Sequence, residues 1–577
     1  GARDSLLVDD RLRLLPVMAW ALRSTTLDLA ELSTRAGGES AEALRALAAD
    51  HETCMGAACD MRRGCALSRL RLRAAASDLL IINHALWFAG SAVGTIPEVH
   101  RVVFDEAHTL EDVATDHYTL ELSADALERI MLRVHNPADG DGVIAATESL
   151  LEAAIPPPQD ALALARSARE MAQQILSSCS ALGRLCEALA DKLDPGGRAG
   201  RSRLRPEVTR LLPYQHLAEF TEDTCVELRS LAEILDQLAG LLGDLEDSPM
   251  GELELLAIAT GELRSQSAEL QGYAEAAEEV IALSDPDRVF FLERSRSEAV
   301  VRAAPVEVGR DLARQVFEPR PTVILTSATL SVGGDMSYFQ DRLGLGQVSE
   351  RLISASYPSE FDYSTQTCFC VPTDVPDPRE DGWLDAVGEA IVELVQATRG
   401  RALVLFTSRA HLEAVYESRR RDIEALGIPT YSQLANLSRA HVRRAFSQDV
   451  SSVLFATRSF FEGVDIPGES LSSVVLTRLP FAVPTDPIVE ARREKVAERG
   501  HDPMEAYYIP QAVITFRQAF GRLIRRKTDR GSVIVLDPRI VRKRYGKRFM
   551  ESVPECRVVQ KPLGAVADFL SRFFDEG

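Results

Sequence analysis

The chain has 577 residues, 46% of them apolar and 26% charged, an ordinary globular balance. That excludes collagen-like, wholly disordered and small disulfide-stapled classes, and the length allows about three or four domains. The formal charge of −21 excludes a uniformly basic nucleic-acid coat, yet it is uneven: residues 501–550 hold 12 Lys/Arg against 4 Asp/Glu, a local net of +8, enough for a local basic groove.

No run approaches the ~18–20 apolar residues of a membrane helix. The N-terminus lacks the basic-then-apolar pattern of a secretion signal. A soluble, cytoplasmic, monomeric protein with no membrane partner is expected. Nine cysteines, mostly scattered, fit a reducing compartment in which a cluster would be a metal or redox site. The chain opens on Gly1 rather than Met and reads as a fragment or processed product.

In chain order, residues 1–80 read as Arg- and Ala-rich helical text around Cys54, Cys59 and Cys65. Six short apolar runs then have the length and β-branched content of buried parallel strands: Val102–Phe104, Val323–Leu325, Ala402–Phe406, Val453–Ala456, Val474–Leu476 and Val533–Leu536. Each is followed at once by polar or charged residues, and helix-like stretches separate many of them. Between the first two lies a region, ~118–285, almost wholly helical in pattern. There Ala168, Ile175, Leu182 and Leu189 recur every seventh residue with Met171 and Leu185 interleaved, a helix-packing seam. Pro156-Pro157-Pro158 precedes that helix and Gly196-Gly197 follows it. The pattern predicts an α/β fold in which a helical insertion separates two strands of one sheet. In such sheets ligands bind beyond the carboxyl ends of the strands.

Four strand or helix ends carry residues suited to phosphoryl transfer. Asp105-Glu106-Ala107-His108 ends the first strand: one carboxylate to hold a Mg²⁺ shell, a second to orient and polarise water. Thr326-Ser327-Ala328-Thr329-Leu330 ends the second. Phe461-Glu462-Gly463-Val464-Asp465-Ile466-Pro467-Gly468 follows a later strand, where small and hydroxyl residues suit close approach to phosphate. In Gln518 to Arg525, Arg522 and Arg525 lie three apart on one helix face, and guanidinium groups stabilise charge on a transferring phosphoryl. The first is the strongest single signal and the two loop segments are each weak alone; the bland alternatives are a chance four-letter match, a solvated basic helix and ordinary strand-end loops.

In this order the set resembles the motor of superfamily 2 helicases: motif II at Asp105 to His108, motif III at Ser327 to Thr329, motif V at Glu462 to Asp465 and motif VI at Gln518 to Arg525. The XPD/DinG-like branch is the finer match. Its marks are the cysteine cluster upstream of Asp-Glu-Ala-His, Asn83-His84-Ala85-Leu86 between them, and the helical insertion between motifs II and III. Phe460-Phe461-Glu462-Gly463-Val464-Asp465 looks like the DinG form of motif V, with Phe461 where Trp is frequent.

The resemblance implies two RecA-like parallel-sheet lobes, an iron–sulfur insertion and a helical arch insertion. It sets these as an iron–sulfur-type domain with the tail of lobe one (1–80), lobe one (81–117), arch (118–285), lobe one again (286–340) and lobe two (341–577). It implies ATP-driven unwinding of DNA with 5′ to 3′ polarity in repair or replication, on single-stranded and forked or structured DNA. Asp105, Glu106, His108, Gln518, Arg522 and Arg525 would be catalytic. Asp105, Glu106, Glu462, Gly463, Asp465, Arg522 and Arg525 would hold ATP and Mg²⁺. Asn83, Ser327, Thr329, Thr407, Ser408, Arg409, Thr457 and Arg458 would meet DNA, the hydroxyl and guanidinium groups holding phosphates without reading bases. Arg542, Lys543, Arg544, Lys547 and Arg548 add a basic stretch or a solvated helix.

Two departures matter. No G-x-x-x-x-G-K-[ST] loop occurs in the sequence. The family carries it upstream of the iron–sulfur domain, so truncation is the expected reason, and the chain as written is expected to hydrolyse little ATP. The cluster spacing Cys54-x₄-Cys59-x₅-Cys65 matches the last three of the family's four thiolates, and a fourth, expected near Leu6 to Val8, is missing. A [4Fe–4S] cluster with an open iron, one completed by a group such as His51, an unmetallated domain and a Zn²⁺ site all remain open. Two rival readings also stand: an ATPase-dead DNA-binding scaffold, and an iron–sulfur redox-responsive DNA-binding protein.

Overall fold

The computed structural model describes residues 65–575 apart from 93–95, 139, 154–156, 197–199, 247–252, 296, 435–438, 458–469, 522 and 525. The chain divides into two compact units. One takes the described residues up to Val99 with Asp112–Glu307 and Thr485–Ala491; the other takes His100–Glu111, Val308–Pro484 and Arg492 onward.

The first unit holds α1 (Ala66–Ala75) and α2 (His84–Ala92), then a helical bundle built on a small sheet. Its helices are α4 (Ala124–Val134), α5 (Val143–Ala153), α6 (Gln159–Leu193), α7 (Leu212–Glu246) and α8 (Leu253–Ala282). The label α3 goes to Leu110–His117. The seven-residue seam of α6 is where the sequence placed it: Ala168, Ile175, Leu182 and Leu189 are buried, with Met171 and Leu185 packed at the margin. Each fully buried Ile or Leu there contributes ~1.5–3 kcal/mol.

The stretch 118–285 is largely helical, as its pattern predicts, with two short strands among the helices. β2 (Leu120–Leu122) and β3 (Gly200–Arg203) join β4 (Arg288–Arg294) and β5 (Ala299–Pro305) in an antiparallel sheet of order β2-β5-β4-β3. The first unit continues past residue 286. β4 and β5 pair with the strands of the insertion, so the unit runs to Glu307. Along β4 the side chains alternate. Phe290 and Leu292 face the helices, while Val289 and Phe291 pack with Ile488 and Ala491 of the returning segment. Arg203 and Arg205 fix that segment through Glu490, at 3.1 and 2.9 Å.

In the second unit all six runs singled out in the sequence are strands, and all pair in parallel. β1 (Arg101–Phe104) pairs with β6 (Thr322–Leu325). The large sheet has the order β13-β7-β12-β11-β8-β10-β9, with β7 (Thr367–Pro372), β8 (Ala402–Phe406), β9 (Thr430–Ser432), β10 (Val453–Thr457), β11 (Ser473–Leu476), β12 (Gly531–Val535) and β13 (Arg557–Lys561). Both faces of its centre are covered. Leu403 and Leu405 lie in one core, under α12 (Arg439–Gln448) and α14 (Ile509–Phe520). Ala402, Val404 and Phe406 lie in the other, under α10 (Trp383–Thr398), α11 (Arg409–Ala425) and α15 (Leu563–Asp575). This is why β8 reads as an unbroken apolar run. Cys368 and Cys370 are buried on β7 as small hydrophobes, and the free thiols of α6, Cys179 and Cys186, are buried likewise.

Burial of the β1–β6 pair differs from expectation. Val103 is 62% and Ile324 50% exposed, opposite each other in the register. Among the described residues no layer covers that side. Two further helices are α9 (Ser337–Arg342) and α13 (Pro487–Glu498). No helix among the described residues is long and apolar enough to cross a membrane.

Candidate functional site

The carboxyl end of β1 builds the acid centre. Phe104 is buried in the strand, and Ala107 and Leu110 are fully buried beyond it, so the chain must turn sharply between them. Glu106 makes that turn in the left-handed region, φ 51°, ψ 41°. A β-carbon-bearing residue there stores about 1–2 kcal/mol of strain. The neighbouring strand holds the turn on both sides: Thr326 N–H donates to Phe104 O at 2.9 Å, and Ala107 N–H donates to Thr326 O at 3.0 Å.

Past Thr326, the Ser327 hydroxyl reaches back. It lies 2.9 Å from His108 Nδ1 and 3.3 Å from Glu106 Oε2, and His108 Nδ1 lies 3.3 Å from the same carboxylate oxygen. One arrangement satisfies both contacts of the hydroxyl: His108 Nδ1–H donates to Ser327 Oγ, and Ser327 O–H donates to Glu106. Thr329 closes the loop by donating its N–H to Ser327 Oγ at 3.2 Å. The His108 side chain is nearly buried, while half of the Glu106 side chain remains exposed. Asp105 is exposed and makes no hydrogen bond or ion pair among the described residues. Hard oxygen donors of this kind suit Mg²⁺, and an open carboxylate beside an oriented one fits a metal held mostly by waters and phosphate oxygens.

Motifs II and III are therefore brought together, and Ser327 and Thr329 sit on the acid centre rather than on an exposed face: Thr329 is 5% exposed. Gln518, on α14, is also buried, and its Nε2 has no partner among the described residues. An uncompensated buried amide costs about 1–3 kcal/mol until an acceptor reaches it. Arg522, Arg525, Glu462, Gly463, Asp465, Arg458, Cys54 and Cys59 lie outside the described residues. Cys65 precedes α1 and is half-buried and free.

The DNA candidates fall at strand and helix ends. Thr407 and Arg409 are exposed beyond β8, and Ser408 caps α11 by accepting from His411 N–H at 3.5 Å. Thr457 ends β10, where Gln433 grips both its backbone N–H, at 2.9 Å, and its hydroxyl, at 3.0 Å. Asn83 spends its side-chain oxygen as the cap of α2, accepting from Leu86 N–H at 2.7 Å. Of the basic stretch, Arg542 donates to Thr373 O and Arg548 pairs with Glu505, at 2.9 and 2.8 Å, which favours a structural role for those two.

Three contributions were not visible in the motifs. Gln433 carried no signal. Arg517 stands beside Gln518 with no motif of its own. Glu111 closes a buried set with Arg342 and Arg492, three residues whose partners lie far apart in the sequence.

Residues 391–556 match the family model of the helicase C-terminal domain. The ATP-dependent DNA helicase YoaA of Haemophilus influenzae is 28% identical over 560 residues, covering 96% of this chain and 78% of that protein. YoaA of Escherichia coli is 29% identical over 524 residues, covering 89% and 73%. The ATP-dependent helicase DinG of Mycobacterium tuberculosis is 37% identical over 279 residues, covering 47% and 41%. A solved structure described as an XPD helicase aligns over 83% of this chain and 72% of its own at 14% identity, with a TM-score of 0.46. The second unit thus carries a match to a helicase C-terminal domain, and over most of its length the chain is similar to ATP-dependent DNA helicases of the YoaA and DinG type.

Proposed function

We propose that this chain forms the hydrolysing and strand-tracking body of an ATP-dependent DNA helicase, acting 5′ to 3′ on single-stranded and forked DNA in repair or replication. The observation that carries the reading is the Glu106–Ser327–His108 triangle at a parallel strand end, with Asp105 open beside it. Glu106 orients and polarises the attacking water. Asp105 is the residue that would hold Mg²⁺, which when bound neutralises charge on the phosphates. Ser327 and His108 fix the rotamer of Glu106. The unpartnered amide of Gln518 supplies a donor for the nucleotide, and Arg522 and Arg525 carry the cationic role. Glu462, Gly463 and Asp465 complete the nucleotide side.

Thr407, Ser408, Arg409, Thr457 and Arg458 follow strands of the large sheet, where a sugar-phosphate backbone is met without base readout. Cys54, Cys59 and Cys65 are the candidate ligands of an iron–sulfur cluster, on spacing alone. The second reading is an ATPase-dead DNA-binding scaffold, and the same assay separates the two.

In the complete gene product, Glu106→Gln is expected to abolish DNA-stimulated ATP hydrolysis and unwinding of a forked duplex while single-strand affinity stays within a factor of about three. Turnover retained in Glu106→Gln removes Glu106 from this role. A parent protein that binds DNA without hydrolysing ATP decides for the scaffold.

A further inference from the structure

Arg517 lies in the last turn of α14, immediately before Gln518, and no motif assigns it a role. Its guanidinium is turned toward the loop that carries Ser327. Nη1 donates to Ser331 O at 2.6 Å and lies 3.3 Å from Ser331 Oγ; Nη2 lies 3.4 Å from Ala328 O. No carboxylate pairs with it among the described residues. Burial lowers its proton affinity below that of an ordinary arginine, and among the described residues the cation is held in a half-dry place by two carbonyls and the Ser331 hydroxyl. Charge-assisted bonds of this kind are about twice as strong as neutral ones. A planar fork also grips two carbonyls three residues apart in one orientation.

The grip has a consequence for the acid centre. Ala328 and Ser331 bracket Thr329, which donates to Ser327, whose hydroxyl spans His108 and Glu106. The Ser327–Glu106 contact, at 3.3 Å, is near the limit of a hydrogen bond. A displacement of the loop by a few tenths of an ångström breaks it. Resting on the motor reading above, we infer that Arg517 is a positioning residue that ties the Ser327 loop, and through it the Glu106 carboxylate, to the helix bearing Gln518. A change at Gln518 when nucleotide is met is thereby passed to the group that orients water, through contiguous hydrogen bonds.

Two measurements test it. In the 577-residue chain, amide hydrogen exchange is followed in Arg517→Ala and Arg517→Lys. Arg517→Ala is expected to speed exchange of residues 326–331 about tenfold or more, from the loss of charge-assisted bonds. The amides of β12 should be unchanged, and Arg517→Lys intermediate. Unchanged exchange over 326–331, or an equal rise in β12, overturns the tie. In the complete gene product, Arg517→Ala is expected to lower kcat for ATP hydrolysis about tenfold with KM for ATP within about twofold, and Arg517→Lys to recover part of it. An unchanged kcat, or a change confined to KM, overturns the positioning role. If the parent gene product shows no ATP hydrolysis, the motor reading fails by itself, and the exchange experiment still decides the tie.

Discussion

Replacing Glu111 by Gln tests whether the helix after the Asp-Glu-Ala-His turn is held by a buried ionic set. Arg342 presents Nε to both carboxylate oxygens at 3.1 Å and Nη2 to Oε1, and Arg492 adds Nη1 to Oε1 at 2.9 Å. The side chains of Glu111, Arg342 and Arg492 are only 16%, 10% and 4% exposed. The Arg342 guanidinium also lies over the Tyr507 ring, 5.4 Å from its centroid. Burial by itself raises the Glu111 pKa, but the charges of Arg342 and Arg492 and the Arg342 hydrogen bond outweigh it and hold the carboxyl below its ordinary value.

Glu111→Gln leaves two desolvated cations facing one neutral amide, and breaking a buried pair in this way costs about 3–5 kcal/mol. Native-state hydrogen exchange of the β8 amides at pH 7 reads that loss directly. The pH dependence carries a sign. A carboxyl whose folded pKa lies below its unfolded value, ~4.3, contributes fully above that value and loses its contribution as pH falls through the folded pKa. The difference in melting temperature between parent and variant is therefore expected to be largest near neutrality and to shrink on acidification. A loss under about 1 kcal/mol at pH 7 refutes the claim that the three groups depend on one another. So does a parent–variant difference that stays flat into acid.

Two further tests are independent of this one. Gly400 adopts φ +76°, and a β-carbon there would stand 1.9 Å from Ser451 O, so Gly400→Ala should destabilise the large-sheet unit by about 2 kcal/mol or more; a melting temperature within about 2 °C of the parent would show that the turn relaxes freely. Anaerobically purified chain is expected to carry iron that is lost when Cys54, Cys59 and Cys65 are replaced together by Ser; a colourless, iron-free parent removes the cluster.

What the sequence alone determined was whatever depends on local periodicity. The central strands of the large sheet were legible because each is buried on both sides, which turns Ala402–Phe406 and Val533–Leu536 into unbroken apolar runs. The seam of α6 was legible because a helix repeats its buried face every few residues, and the acid pair because it sits where such a strand stops. Tertiary structure decided the rest. β2 and β3 have three and four residues, and Gly200-Arg201-Ser202-Arg203 carries no apolar alternation at all; pairing with β4 makes it a strand. Asn83 became a helix cap, Glu106 a left-handed turn, and Arg517 a clamp on carbonyls contributed by another strand's loop. Glu111, Arg342 and Arg492 read singly as solvated charges, since nothing local to any of them announces a partner hundreds of residues away. Periodicity reports which face of an element is dry, whereas the partner of a charge is chosen by the packing of elements distant along the chain.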